Sequence, residues 1–261
     1  DDVYALSGID LSGATGAITL NGTTYRSDTG DISFGGAVTL AGGGATTISS
    51  NDDTGTTSTD TITFSSTVDG GGQSLTVSTE SATDSGTVTI GGALTNTASV
   101  DIDAGTVNVD AVTSAGLIAL DGAAINLNGN LTSNTQVTLT GAVDLLGTPI
   151  TIDSDADTNG TTSGVTITGA VTDTGSNSAL TIDAGTHTTN STVSVTGAIG
   201  TTGVEVSSLT VIAGGTTGVD DVYALSGIDL SGATGAITLN GTTYRSDTGD
   251  ISFGGAVTLA G

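Results

Sequence analysis

The chain has 261 residues, among them 42 Gly and 1 Pro but no Cys, Met, Trp or Lys, and its net charge at pH 7 is −25. This excludes a disulfide framework, a thiolate or multi-His metal site and lysine-based isopeptide cross-links, since only one His is present. Acidity on this scale also argues against nucleic acid and anionic membranes as partners, and no apolar run reaches the roughly 18 residues of a spanning helix.

A chain rich in Gly, Ser, Thr and Asp resembles a disordered linker in composition. Here, however, Val, Ile and Leu alternate with Thr, Ser, Asn and Asp over short runs, which is a strand signal. In chain order the runs are GDISFGGAVTLAG from Gly30, TDTITFSSTVDGGGQSLTVS from Thr59, GTVTIGGALTNTASVDIDA from Gly86 and GTVNVDAVTSAGLIALDGA from Gly105. AINLNGNLTSNTQVTLTGA from Ala124, GTPITIDS from Gly147, GVTITGAVTDTG from Gly164 and STVSVTGAIGTTG from Ser191 follow. The cleanest units span 19 residues, from Gly86 to Gly105 and from Gly105 to Ala124. Others are lengthened by polar insertions beginning at Ser49, Ser78, Asp153 and Asp183, which read as exposed corner loops. Each unit offers a period-two strand, a small-residue corner with one or two aliphatics, and a second strand. Alternation sets Val107 and Val109 on one face and Thr106, Asn108 and Asp110 on the other. Nowhere does the 3.6-residue apolar spacing of a helix occur.

A strand of three to five residues cannot bury its apolar face alone, so the units must stack on one another, each contacting the next. The expectation is an all-β parallel solenoid, about nine coils per long repeat, rising roughly 43 Å at about 4.8 Å per coil. The long repeat itself is explicit: residues 1 to 42 recur unchanged as residues 220 to 261, an offset of 219. Identity that extends to polar surface positions reports duplication of the gene rather than a demand of the fold. Residues 1–219 therefore read as one full repeat and residues 220–261 as the start of the next. The solenoid is expected to run through the junction, and the natural protein to continue in both directions.

The phrasing TVNVDA...GLIALDGAAINLNGNLTSNTQVTLTGA from Thr106 to Ala142 resembles the repeats of the filamentous haemagglutinin family of large secreted exoproteins. It is also similar to the passenger regions of autotransporter adhesins. The resemblance covers most of the chain and lies in repeat style and composition, not in a signature residue; these 261 residues do not include that family's N-terminal secretion domain. It implies a right-handed parallel β-helix, export across a bacterial envelope to the cell surface or beyond, and a role in adhesion or matrix formation.

Candidate chemistry is sparse. Asp153, Asp155, Asp157 and Asn159, at alternate positions, resemble the opening of an oxygen-ligand calcium loop, although the sixth and twelfth positions of an EF-hand loop are here Thr158 and Gly164. Asn51, Asp52 and Asp53 form a weaker version. Tyr25 and Arg26 are the bulky features of their region and are candidates for an interface with a neighbouring copy or a surface glycan. His187 lies in a Thr-rich insertion, a poor place to exclude water, so no catalytic role is expected. Gly42 to Gly44 and Gly70 to Gly72 lack the Lys and helix of a phosphate loop and read as turns. Thr-x-Thr strands such as Thr61 to Thr63 and Thr87 to Thr89 raise ice binding as a second class, but Asp31 to Ser33 and Asn126 to Asn128 interrupt the array. A polysaccharide-cleaving β-helix would want more basic residues than Arg26 and Arg245. The reading is a structural filament segment or, as its close variant, an adhesin stalk. It is not expected to be an enzyme, and calcium is the one cofactor considered.

Overall fold

A computed structural model describes residues 1–50, 59–79, 85–157, 163–175, 177–186 and 190–260. Among them there is no helix; every regular element is a β-strand, most of them two to six residues long, and the pairings between these strands are parallel, with one antiparallel bridge, Thr201 to Val204, outside them. The chain is a parallel β-helix. It divides into two compact units, Asp1–Asn126 and Leu127–Gly261, a boundary that does not follow the 219-residue repeat.

In the first unit the chain makes three strands per coil, and each stacks on its counterpart in the next coil. One stack runs Val3–Ala5, Thr24–Ser27, Thr46–Ser50, Ser74–Ser78 and Ser99–Asp103, then the beginning of Ile118–Leu127. A second runs Ile9–Leu11, Ile32–Phe34, Thr61–Phe64, Thr87–Ile90 and Thr106–Val109. The third runs Ile18–Leu20, Val38–Leu40, Val68–Asp69, Leu94–Thr97 and Val112–Ser114. The stretch read from sequence as a corner with one or two aliphatics is thus itself a strand, as at Val112. It escapes a periodicity test because it is only two to four residues long.

Period-two burial explains why these segments pair as they do. In Thr87–Ile90 and Thr106–Val109 the Thr and Asn positions are half-exposed while Val88, Ile90, Val107 and Val109 are sealed. In-register parallel pairing places like on like: Leu11 over Phe34, Phe34 over Phe64, Phe64 over Ile90. The Phe34 and Phe64 rings stack with centroids 4.8 Å apart. Coil length varies while the strands stay paired: Thr89 and Asn108 are bonded neighbours 19 residues apart, Ser74 and Ser99 25, Asp31 and Thr61 30. The corner at Gly36 is tight, since an added Cβ would lie 1.9 Å from the Gly16 carbonyl oxygen of the preceding coil.

The second unit repeats the plan. Gln136–Leu145, Gly164–Ile167, Thr192–Val195, Thr217–Val219, Ile237–Leu239 and Val257–Leu259 form one stack. Leu131–Ser133, Ile150–Asp153, Ala179–Asp183, Ser208–Ala213, Ile228–Ala233 and Ile251–Phe253 form another. The remaining side is thinner: Val143–Asp144 pairs with Val171–Thr172, single bridges link Val171 to Ile199 and Ile199 to Val222, and Val222–Ala224 pairs with Tyr244–Ser246. Residues 214–221 lie within this stacked structure, and Thr217–Val219 is paired on both sides.

The two identical 42-residue segments fold to the same register. Val3 faces Tyr25 as Val222 faces Tyr244, Ile9 faces Ile32 as Ile228 faces Ile251, and Ile18 faces Val38 as Ile237 faces Val257. Their polar details coincide as well. The Asp2 carboxylate accepts from the Thr23 and Thr24 amides at 2.7 and 3.0 Å, and that of Asp221 accepts from Thr242 and Thr243 at 2.6 and 2.7 Å.

Candidate functional site

Among the described residues three features stand out: an acidic turn, a polar ladder, and the exposed apolar residues of the first and last coils.

The acidic turn begins where Ile150–Asp153 ends. Asp153 is aligned with Asp183 on the next coil, so parallel pairing sets two carboxylates side by side. Each caps its own turn: the Asp155 amide donates to Asp153 Oδ1 at 2.9 Å, and the Gly185 amide to Asp183 Oδ1 at 2.8 Å. The two turns are packed tightly, since a Cβ on Gly185, whose φ is +77°, would collide with the Asp155 carboxylate. Burial pushes the Asp153 carboxyl above its ordinary pKa, and the charges of Asp183 and Asp155 add to the rise against the opposing Asp155 amide. Asp155 is buried, Asp157 is exposed, and Asn159 lies outside the described residues. Of the four residues read as a calcium loop, the structure thus brings Asp153 and Asp155 together, with Asp183 as a third member that sequence spacing did not reveal. Among the described residues, no three His, Cys, Asp or Glu side chains are grouped so as to hold a metal ion. Asn51, Asp52, Asp53 and His187 lie outside the described residues.

The polar ladder runs up the outer face of the second stack of the first unit. Asp10, Ser33, Thr63, Thr89 and Asn108 are in register. Asn108 Nδ2 donates to Thr89 Oγ1 at 3.2 Å and Asn126 Nδ2 donates to Asn108 Oδ1 at 2.7 Å, so side-chain amides extend the backbone ladder. In this ladder threonine fills two rungs, Thr63 and Thr89, and beside it Thr61, Thr87 and Thr106 stack as three. The same alternation separates Tyr25 from Arg26. Tyr25 points inward, 5% exposed, and its phenolic oxygen accepts from the Gly22 amide at 2.8 Å, while Arg26 faces outward, in register with Tyr4. The surface pair is therefore Tyr4 with Arg26, and in the second copy Tyr223 with Arg245, which also meets Asp247 at 2.7 Å.

The edges are where apolar surface lies open. Val3, Tyr4, Leu6 and Leu11 at the start of the first unit, and Ile251, Phe253, Val257 and Leu259 at the end of the second, are exposed. Only Leu117 and Leu146 among the other large hydrophobic residues described are comparably open. The identical segments show what covering does. Leu40, with the coil of Val68–Asp69 beyond it, is 1% exposed, and its counterpart Leu259 is 77% exposed; Val222, with a coil before it, is sealed, and its counterpart Val3 is open.

Comparison with protein-family models, with curated proteins and with solved structures finds no match to this chain.

Proposed function

We propose that this chain is a structural segment of an extracellular fibre, made of tandem 219-residue repeats and serving as a surface or matrix filament of a bacterial cell. The observation that carries the reading is that the repeated 42 residues stack in one register at both occurrences, so the unit duplicated in the gene is also a unit of stacking. A coil that offers its successor the same strand spacing it received can be extended by further repeats with no new interface. The sequence style of filamentous haemagglutinin-like exoproteins supports the same reading, with an adhesin stalk as its close variant.

Several features favour mechanics over chemistry. Each coil's apolar residues go into packing on the coils above and below it. Outward positions carry Ser, Thr, Asn and Asp, whose ladders strengthen stacking and whose charge keeps neighbouring filaments apart. Immunogold electron microscopy of the producing cells tests the proposal. Filaments decorated along their length at or beyond the cell surface are the expected result; label confined to the cell interior, or turnover of a polysaccharide by the purified protein, would overturn it.

A further inference from the structure

Five asparagines stand in the acceptor pattern of N-glycosylation, Asn-x-Ser/Thr: Asn21, Asn130, Asn159, Asn190 and Asn240, each with threonine two residues on. A chain this rich in threonine produces the pattern by chance, so exposure and bonding must select among the five. Asn159 lies outside the described residues. Asn21 and Asn240 are the same residue of the repeated segment, and their threonines are held. Thr23 donates its amide to Asp2 Oδ1 at 2.7 Å, with its hydroxyl 3.4 Å from the same oxygen; Thr242 is placed against Asp221 in the same way, at 2.6 and 3.5 Å.

Thr132 and Thr192 are not tied so: among the described residues no hydrogen bond holds either hydroxyl. Period-two alternation then presents the acceptor pair. Leu131, between Asn130 and Thr132, is sealed in the core, and Ser191, between Asn190 and Thr192, is buried 3.0 Å from the Ser163 hydroxyl. With the middle residue inward, the asparagine and the threonine on either side of it face outward together. Asn130 and Asn190 are exposed, and Thr132 and Thr192 half-exposed. Asn130 accepts the Thr151 amide at 2.9 Å through Oδ1, the carbonyl end of its side chain, which leaves Nδ2 for chemistry. Asn108 and Asn126 differ on both counts: their Nδ2 atoms donate within the polar ladder, and neither has a hydroxyl two residues on.

We propose that Asn130 and Asn190 are N-glycosylation sites, modified from a sugar donor activated as a diphosphate ester. In the transfer the bond from the anomeric carbon to the diphosphate oxygen breaks and a bond from that carbon to Nδ2 forms. The diphosphate leaves with the bonding pair, and the amide proton passes to a base of the transferase. Both sites flank strands without belonging to the core, so carbohydrate there extends into solvent while Leu131 and Ser191 keep their packing. The inference rests on the reading of the chain as an exported filament, which places it on a route where glycosylation occurs.

Mass spectrometry of the chain purified from its producing cells tests the sites. Trypsin would cut only at Arg26 and Arg245, so an aspartate-directed protease is used. The expected result is sugar-sized mass increments on the peptides of Asn130 and Asn190 and none on those of Asn108 and Asn126. Increments one sugar apart mark a nucleotide-linked donor and a single larger block marks a lipid-linked one; either supports the proposal. Thr132→Val and Thr192→Val, which keep the shape and strand preference of threonine, should each abolish modification at the neighbouring asparagine. Thr132→Ser and Thr192→Ser should retain it. Bare asparagine at either position in the wild type, or modification that survives the valine change, would overturn the proposal. Bare asparagine on filaments that immunogold labels at the cell surface would sink this inference alone, whereas label confined to the interior sinks the filament reading.

Discussion

The duplicated segment supplies an internal control for the energetics of stacking. Leu40 and Leu259 are the same residue in the same 42-residue sequence, and each packs on a leucine of the coil before it, Leu20 and Leu239. They differ in what the 261 residues place beyond: the strand of Leu40 is followed by Val68–Asp69, whereas that of Leu259 is the last strand described and its side chain is exposed. Leu40→Ala should therefore leave a cavity and cost roughly 2–5 kcal/mol. Leu259→Ala, on a side chain 77% exposed, should cost less than about 0.5 kcal/mol. Because the preceding residues are identical, denatured-state and propensity effects largely cancel between the two sites. Urea denaturation followed by circular dichroism reads the difference: with a slope of roughly 3 kcal/mol/M, Leu40→Ala moves the midpoint of the first unit by about 1 M, and Leu259→Ala scarcely moves that of the second. Equal shifts would refute the idea that each coil is stabilised chiefly by the one stacked on it.

Three further outcomes follow from the geometry. Asp153→Asn keeps the oxygen that caps the turn at Asp155 but removes a half-buried charge facing Asp183; melting temperature at pH 7 should rise by about 2 °C. The folded-state pKa is raised, so the wild-type group favours folding when protonated and loses that contribution as pH rises. The advantage of the Asn variant should accordingly vanish in melts run in acid. Asn108→Ala removes the donor to Thr89 and the acceptor for Asn126 and should cost roughly 1–3 kcal/mol in denaturant titration, a cost that should shrink in a Thr89→Val background if the Thr89 hydrogen bond is part of its source. Gly36→Ala, whose methyl would meet the Gly16 carbonyl, should destabilise by roughly 1–3 kcal/mol, whereas Gly13→Ala, with open space around it, should be close to neutral in the same assay.

The sequence made the class of fold legible because period-two alternation survives in each main strand. Thr87–Ile90 and Thr106–Val109 could be aligned by eye, and they pair in register. The third strand of each coil was not legible: Val68–Asp69 and Val171–Thr172 are two residues long, too short for any periodicity, and only the stack reveals them. The acidic turn was half visible. Asp153 and Asp155 stand out as neighbours, but Asp183 reaches them only through a register set by the intervening coil. Tyr25 and Arg26 looked like one feature because they are adjacent; alternation along Thr24–Ser27 sends one into the core and the other outward, a distinction the strand pattern itself carried.

The measurement that bears most directly on the whole account is the length of particles made from one, two and three tandem 219-residue repeats, read by electron microscopy of the purified chains. A parallel β-helix extended coil upon coil predicts that each added repeat lengthens the particle by roughly 43 Å at constant width, from about nine coils of 4.8 Å. Particles that instead become wider, or beads joined by gaps at the repeat junctions, would contradict it.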